Sequence, residues 1–111
     1  MITTHVLDTT SGKPAIGVSI TLWRQVEDSW HKIGEGSTDS DGRLRTLMPS
    51  GTPGAPGMYR LTFDTGAYFT RLGLASFYPE VTIAFEVRDA QQHHHVPLLL
   101  SAFGYTTYRG S

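Results

Sequence analysis

Hydrophobic and polar residues alternate with a period of two along most of the chain. Residues 17–24 set Val18, Ile20 and Leu22 against Ser19, Thr21 and Trp23, and residues 58–64 set Tyr59, Leu61 and Phe63 against Arg60, Thr62 and Asp64. Residues 81–88 give the cleanest alternation, Val81, Ile83, Phe85 and Val87 opposite Thr82, Ala84, Glu86 and Arg88. Successive side chains of an extended strand point to opposite faces, so each segment reads as a half-buried strand. Weaker patterns predict strands over residues 2–8, 30–37, 43–47, 93–100 and 103–109, separated by turn-forming runs such as Ser11-Gly12-Lys13-Pro14 and Ser40-Asp41-Gly42. Short strands at this spacing predict an all-β fold, an antiparallel β-sandwich of about eight strands.

Two stretches break the alternation. Residues 48–57 hold three prolines and three glycines, which removes backbone donors and rules out a central strand, so a mobile surface loop is expected there. Residues 65–74 space Ala67, Arg71 and Leu74 helically between Gly66 and Gly73, which predicts one short helix. No internal repeat or low-complexity tract is visible.

Length and composition narrow the classes. A chain of 111 residues is expected to form a single domain spanning residues 1–111. Nine Lys and Arg balance ten Asp and Glu, so no charge excess points to nucleic acid as a partner. Without cysteine there are no disulfides, thiolate nucleophiles or Cys-ligated zinc, and any metal would need His, Asp or Glu. Residues 1–5 lack a basic and apolar signal pattern, and no apolar run reaches the roughly 18 residues of a membrane helix. A soluble, cytoplasmic protein is expected.

The chemistry-bearing residues gather late in the chain. His93 and His95 stand two apart, so a strand puts both imidazoles on one face and His94 on the other. With His5 as a third ligand they would suit a zinc site. A metal-free acid–base pair and a merely solvated strand end fit the spacing equally well. Thr38-Asp39-Ser40-Asp41-Gly42-Arg43 reads first as a tight turn that leaves Arg43 at the start of the next strand; a calcium loop is excluded because the bidentate Glu after the Gly is missing. No serine sits in a GxSxG elbow. The chain ends on Tyr108-Arg109-Gly110-Ser111, and aromatic and cationic residues at the very end predict a tail that is tied down rather than frayed.

Three segments taken together resemble the transthyretin-related 5-hydroxyisourate hydrolase family. They are His5-Val6-Leu7-Asp8 with Thr10 to Ala15, then Thr38 to Arg43, then His95-Val96-Pro97-Leu98-Leu99-Leu100-Ser101 with the terminal Tyr108-Arg109-Gly110-Ser111. Arg60 to Gly66 and Phe77 to Glu80 agree as well. The terminal tetrapeptide is the most specific part, because the hormone carrier transthyretin shares the fold and lacks it. Departures are mild: His94 where Tyr is common, Ala102 where Pro is usual, and Thr106 where Ser is usual.

The resemblance implies a transthyretin-like sandwich assembled as a homotetramer, a dimer of dimers whose central channel holds the active sites. It implies a metal-free enzyme without cofactor, which adds water to 5-hydroxyisourate and opens its six-membered ring. It carries over His5, Arg43, His95 and Ser111 as the catalytic set, with Tyr108, Arg109 and Gly110 shaping the substrate pocket, and makes His93 a neighbour rather than a ligand. These residue types suit the reaction. Imidazole, with an ordinary pKa of about 6.5, is the natural base near neutrality. The forked guanidinium of Arg43 suits a developing oxyanion. Ser111 adds a hydroxyl and a carboxylate.

Overall fold

The computed structural model describes all of residues 1–111 except Pro53. The elements in chain order are β1 (Ile2–Asp8), β2 (Lys13–Pro14), β3 (Ser19–Val26), β4 (Ser29–Ser37), β5 (Arg43–Leu44), β6 (Gly57–Phe63), α1 (Thr65–Arg71), β7 (Val81–Val87), β8 (His94–Ser101) and β9 (Gly104–Thr107). They form two facing sheets. One runs β2-β1-β8-β9, with β5 also paired to β1, and the other runs β4-β3-β6-β7. The expected all-β sandwich with one short helix is therefore present.

The alternation places the core. Val18, Ile20, Leu22, Leu61, Phe63, Val81, Leu98 and Leu100 are all buried, and burying an aliphatic or aromatic side chain of this size stabilises by about 1.5–3 kcal/mol. On β1 the inward set is Ile2, Thr4, Val6 and Asp8, so Thr3, His5 and Leu7 lie on the outer face of the five-stranded sheet. That face carries the site.

The structure corrects the expectation in three places. First, β1 and β8 pair in parallel, from Ile2 opposite His94 to Asp8 opposite Leu100, whereas every other pair is antiparallel. Second, the strand expected over 43–47 stops at Leu44. The chain then leaves β1 and crosses β4, burying Leu47 completely; a Cβ on Gly34 would lie 1.7 Å from the Leu47 carbonyl oxygen, so only glycine admits that crossing. Leu47 thus ties down the start of the expected surface loop, and Pro53 within that loop lies outside the described residues. Third, the helix exists, but its buried residues are Thr65, Tyr68 and Phe69. The spacing of Ala67, Arg71 and Leu74 marks an exposed side, because the two aromatics outweigh Ala67 in the area they remove from water. Asp64 caps the helix by accepting from the Ala67 N–H at 3.3 Å.

Tyr68 reaches across to β1. Its hydroxyl donates to Oδ2 of the buried Asp8 at 2.8 Å, and Asp8 Oδ1 accepts from the N–H groups of Thr10 and Ser11. Burial, then the bond to Asp8, pushes the Tyr68 phenol up to about 12.

Candidate active site

Strand register gathers the site. Thr3 stands opposite His95, and His5 opposite both Pro97 and Arg43, so Thr3, His5, Arg43 and His95 share the outer face across three adjacent strands. The turn before β5 holds Arg43 in place. Asp39 Oδ1 accepts from the N–H of Asp41 at 2.8 Å and of Arg43 at 3.0 Å, and the Val6 N–H binds the Gly42 carbonyl at 2.8 Å. The backbone bond from Arg43, then that from Asp41, holds the Asp39 carboxyl below its usual range. Asp39 Oδ2 faces Arg45 at 3.8 Å, which leaves the Arg43 guanidinium turned to the cavity rather than to its own turn.

The tail closes the site from the other side. Beyond β9 the chain stays beside β8, where the Gly110 N–H donates to the His95 carbonyl at 2.8 Å. A Cβ on Gly110 would lie 2.6 Å from His95 Cδ2, so the imidazole packs directly on the glycine backbone. The terminal segment is tied down, as its composition predicts.

A cavity of ≈160 Å³ results, lined by Arg43, Arg45, His93, His95 and Ser111, with Thr3, Thr4 and Met1. Of the four residues expected to be catalytic, Arg43, His95 and Ser111 meet there. His5 lies beside the cavity rather than on its wall. Its Nε2 stands 3.0 Å from the Asp41 carbonyl, which can only accept, so Nε2 carries a proton. Tyr108 and Arg109 line an adjoining cavity of ≈230 Å³ between the sheets, which shares His95; Arg109 donates to Gln92 Oε1 at 3.0 Å. Gly110 lines neither cavity and lies against His95.

His94 and His95 point to opposite faces of β8, and His93 stands just before the strand, which starts one residue later than expected. His94 is buried at 6% exposure and lines the adjoining cavity, while His93 Nε2 and His95 Nδ1 both lie 2.7 Å from Thr3 Oγ1. Burial lowers the His95 pKa below its ordinary value, and the neighbouring Arg43, then His93, His5 and Arg45, lower it further. Neutral His95 can therefore accept a proton at neutral pH. Burial, then Arg109, lowers His94 in the same direction. Among the described residues, no group of three or more His, Asp or Glu side chains forms a metal-binding cluster.

Sequence reasoning passed over Thr3 and Arg45. Both carried a usable signal: each lies two residues from a selected one, Thr3 from His5 on the same face of β1, and Arg45 from Arg43 just past the end of β5. A neutral imidazole beside two guanidiniums and two hydroxyl side chains can deprotonate water and stabilise an oxyanion. That is the equipment of a hydrolytic site.

Known proteins carry the same framework. The sequence matches the HIUase/Transthyretin family over residues 2–110. It is 44% identical over 111 residues to the 5-hydroxyisourate hydrolase of Salmonella dublin, covering 100% of this chain and 81% of that protein. Among solved structures, 5-hydroxyisourate hydrolase from Klebsiella pneumoniae superposes with a TM-score of 0.85 at 38% identity, covering 99% of this chain and 98% of that one. Transthyretin from Sparus aurata superposes with a TM-score of 0.89 at 32% identity, covering 98% and 95%. The sandwich is transthyretin-like. The chain belongs to the HIUase/transthyretin family.

Proposed function

We propose that the protein is a hydrolase that converts 5-hydroxyisourate to 2-oxo-4-hydroxy-4-carboxy-5-ureidoimidazoline, with His95 as base and Arg43 as oxyanion partner. The observation that carries this reading is the meeting of His95, Arg43 and Ser111 in one cavity, in a chain whose full-length relatives are named for that activity. In the proposed step, the neutral His95 imidazole takes a proton from water as the water oxygen bonds to a ring carbonyl carbon. Arg43 holds the resulting oxyanion. Collapse of the tetrahedral intermediate re-forms the carbonyl and breaks the ring C–N bond, and the departing nitrogen receives the proton from His95. His5 assists His95 from beside the cavity, the Ser111 hydroxyl orients the substrate, and Gly110 keeps His95 in position, with Tyr108 and Arg109 shaping its far side. No step calls on a metal or cofactor.

The test is the decay of freshly generated 5-hydroxyisourate, followed by ultraviolet absorbance. Wild-type protein should accelerate it, chelation should leave the rate unchanged, and His95→Ala should lower turnover by about 10²–10⁴-fold, the usual contribution of a positioned base. Loss of activity on chelation would favour a histidine metal site. No acceleration by folded wild type would favour a carrier, for which the likeness to Sparus aurata transthyretin speaks.

The same reading includes a homotetramer, a dimer of dimers, built from single-domain chains of residues 1–111 and working in the cytoplasm. Two features support the assembly: β7 and β9 lie at sheet edges, and Phe77, Phe103, Tyr105 and Tyr108 are exposed, where apolar surface invites a partner. Sedimentation equilibrium at a monomer mass would overturn it. No helix among the described residues is long and apolar enough to cross a membrane.

A further inference from the structure

We propose that the Thr3 hydroxyl sets the tautomer of His95, through opposed hydrogen bonds to His95 and His93, and so decides whether His95 is a base. This inference rests on the hydrolase reading. Thr3 is 4% exposed, and its Oγ1 lies 2.7 Å from both His93 Nε2 and His95 Nδ1. Its neighbour offers a contrast: the Thr4 hydroxyl donates to the Val96 carbonyl at 2.6 Å, an acceptor that never changes. The partners of Thr3 are two groups that can each donate or accept.

A hydroxyl has one proton and two lone pairs. Set between two imidazole nitrogens, Thr3 can donate to one ring while it accepts from the other. In one arrangement His95 Nδ1–H donates to Thr3, whose own proton goes to His93 Nε2. His95 Nε2 then carries a free lone pair. In the other, His93 Nε2–H donates to Thr3, Thr3 donates to His95 Nδ1, and the remaining His95 proton sits on Nε2, where it blocks the base. The charged and titratable groups facing the pair are Met1 just before β1, His5 on β1, Arg43 and Arg45 after the turn, and Ser111 in the tail. Burial, then Arg43, holds His95 below its ordinary pKa, so the ring that Thr3 orients is neutral at neutral pH. Thr3 is thus a positioning residue, and His93 is the acceptor that orients it.

Nitrogen-15 NMR of the imidazoles reads the tautomer directly, without turnover. Wild-type protein at pH 7.5 should show His95 with its proton on Nδ1, and Thr3→Val should move it towards Nε2. The same variant should lose at least about tenfold in kcat, part of the roughly 10²–10⁴-fold a positioned base supplies, with KM unchanged; Thr3→Ser should restore both readouts. A wild-type His95 protonated on Nε2, or a Thr3→Val protein with unaltered kcat, would overturn the proposal. If Thr3→Val fails to fold, the wild-type spectrum and Thr3→Ser still decide it. Absence of turnover in wild type would sink the hydrolase reading alone, because the NMR arm remains.

Discussion

Strand β1 carries buried polar side chains at both ends, and the two ends are built to opposite rules. At the Asp8 end the carboxylate is surrounded by fixed donors, the Tyr68 hydroxyl and the N–H groups of Thr10 and Ser11. Every partner there has one role, so the arrangement has one state and serves stability. At the Thr3 end the hydroxyl meets two imidazoles that can each donate or accept, beside two guanidiniums that face a cavity. A polar group with hydrogen-bonding capacity left over is costly in a core and useful in a site. The difference separates structural from chemical polarity within seven residues of one strand.

That separation can be broken from either end. The largest effect is expected from Arg43→Lys, which keeps the charge and loses the fork: turnover should fall by about 10²–10³-fold, as when an oxyanion donor is removed, while thermal unfolding stays at the wild-type temperature. An equal loss of stability would place Arg43 on the structural side. Gly110→Ala comes next. Its methyl carbon would meet the His95 ring at 2.6 Å, and displacing a reacting group by about 1 Å costs on the order of a hundredfold; single-turnover rates should show the loss in the chemical step.

At the other end, Tyr68→Phe should leave turnover intact and destabilise the fold by about 1.5–3 kcal/mol, the range for a hydrogen bond to a charged group, as read by denaturant titration. Its pH dependence adds a second mark. The Tyr68 pKa rises on folding from 10.0 to about 12, so the folded state holds more protons in that window, and wild-type stability should fall as pH climbs from 10 towards 12. The variant should lose that slope. The smallest effect concerns the histidines. Folding lowers the pKa of His95 and His94 from 6.5, so the unfolded state binds more protons as pH drops below 6.5. The stability they contribute is complete above 6.5 and is lost as pH falls through the folded values. The acid limb of kcat/KM should accordingly lie below pH 6.5, and a limb above it would contradict a His95 kept neutral by burial and by Arg43.

Much of this was legible in one dimension. Period-two alternation identified the core strands because side-chain direction in a strand depends only on parity; the same rule put His93 and His95 on one face and His94 on the other. The Asp39 turn was legible because an Asp side chain bonds the backbone two residues on. Residue type and parity stop short of pairing. Nothing local reveals that β1 and β8 run parallel, that Leu47 crosses Gly34, or that Tyr108 and Arg109 line a cavity other than the one holding Ser111.

By itself, then, the sequence determined which residues face inward, where the chain turns and which chemical groups are available, since these depend on neighbours within a few positions. Only the tertiary structure decided which groups meet. Thr3 and His95 are separated by almost the whole chain, and their contact is a product of strand register, which is set by the summed packing of two sheets. A one-residue slip of β8 against β1 would keep every local preference of the sequence and replace His95 with His94 on the face that carries the site.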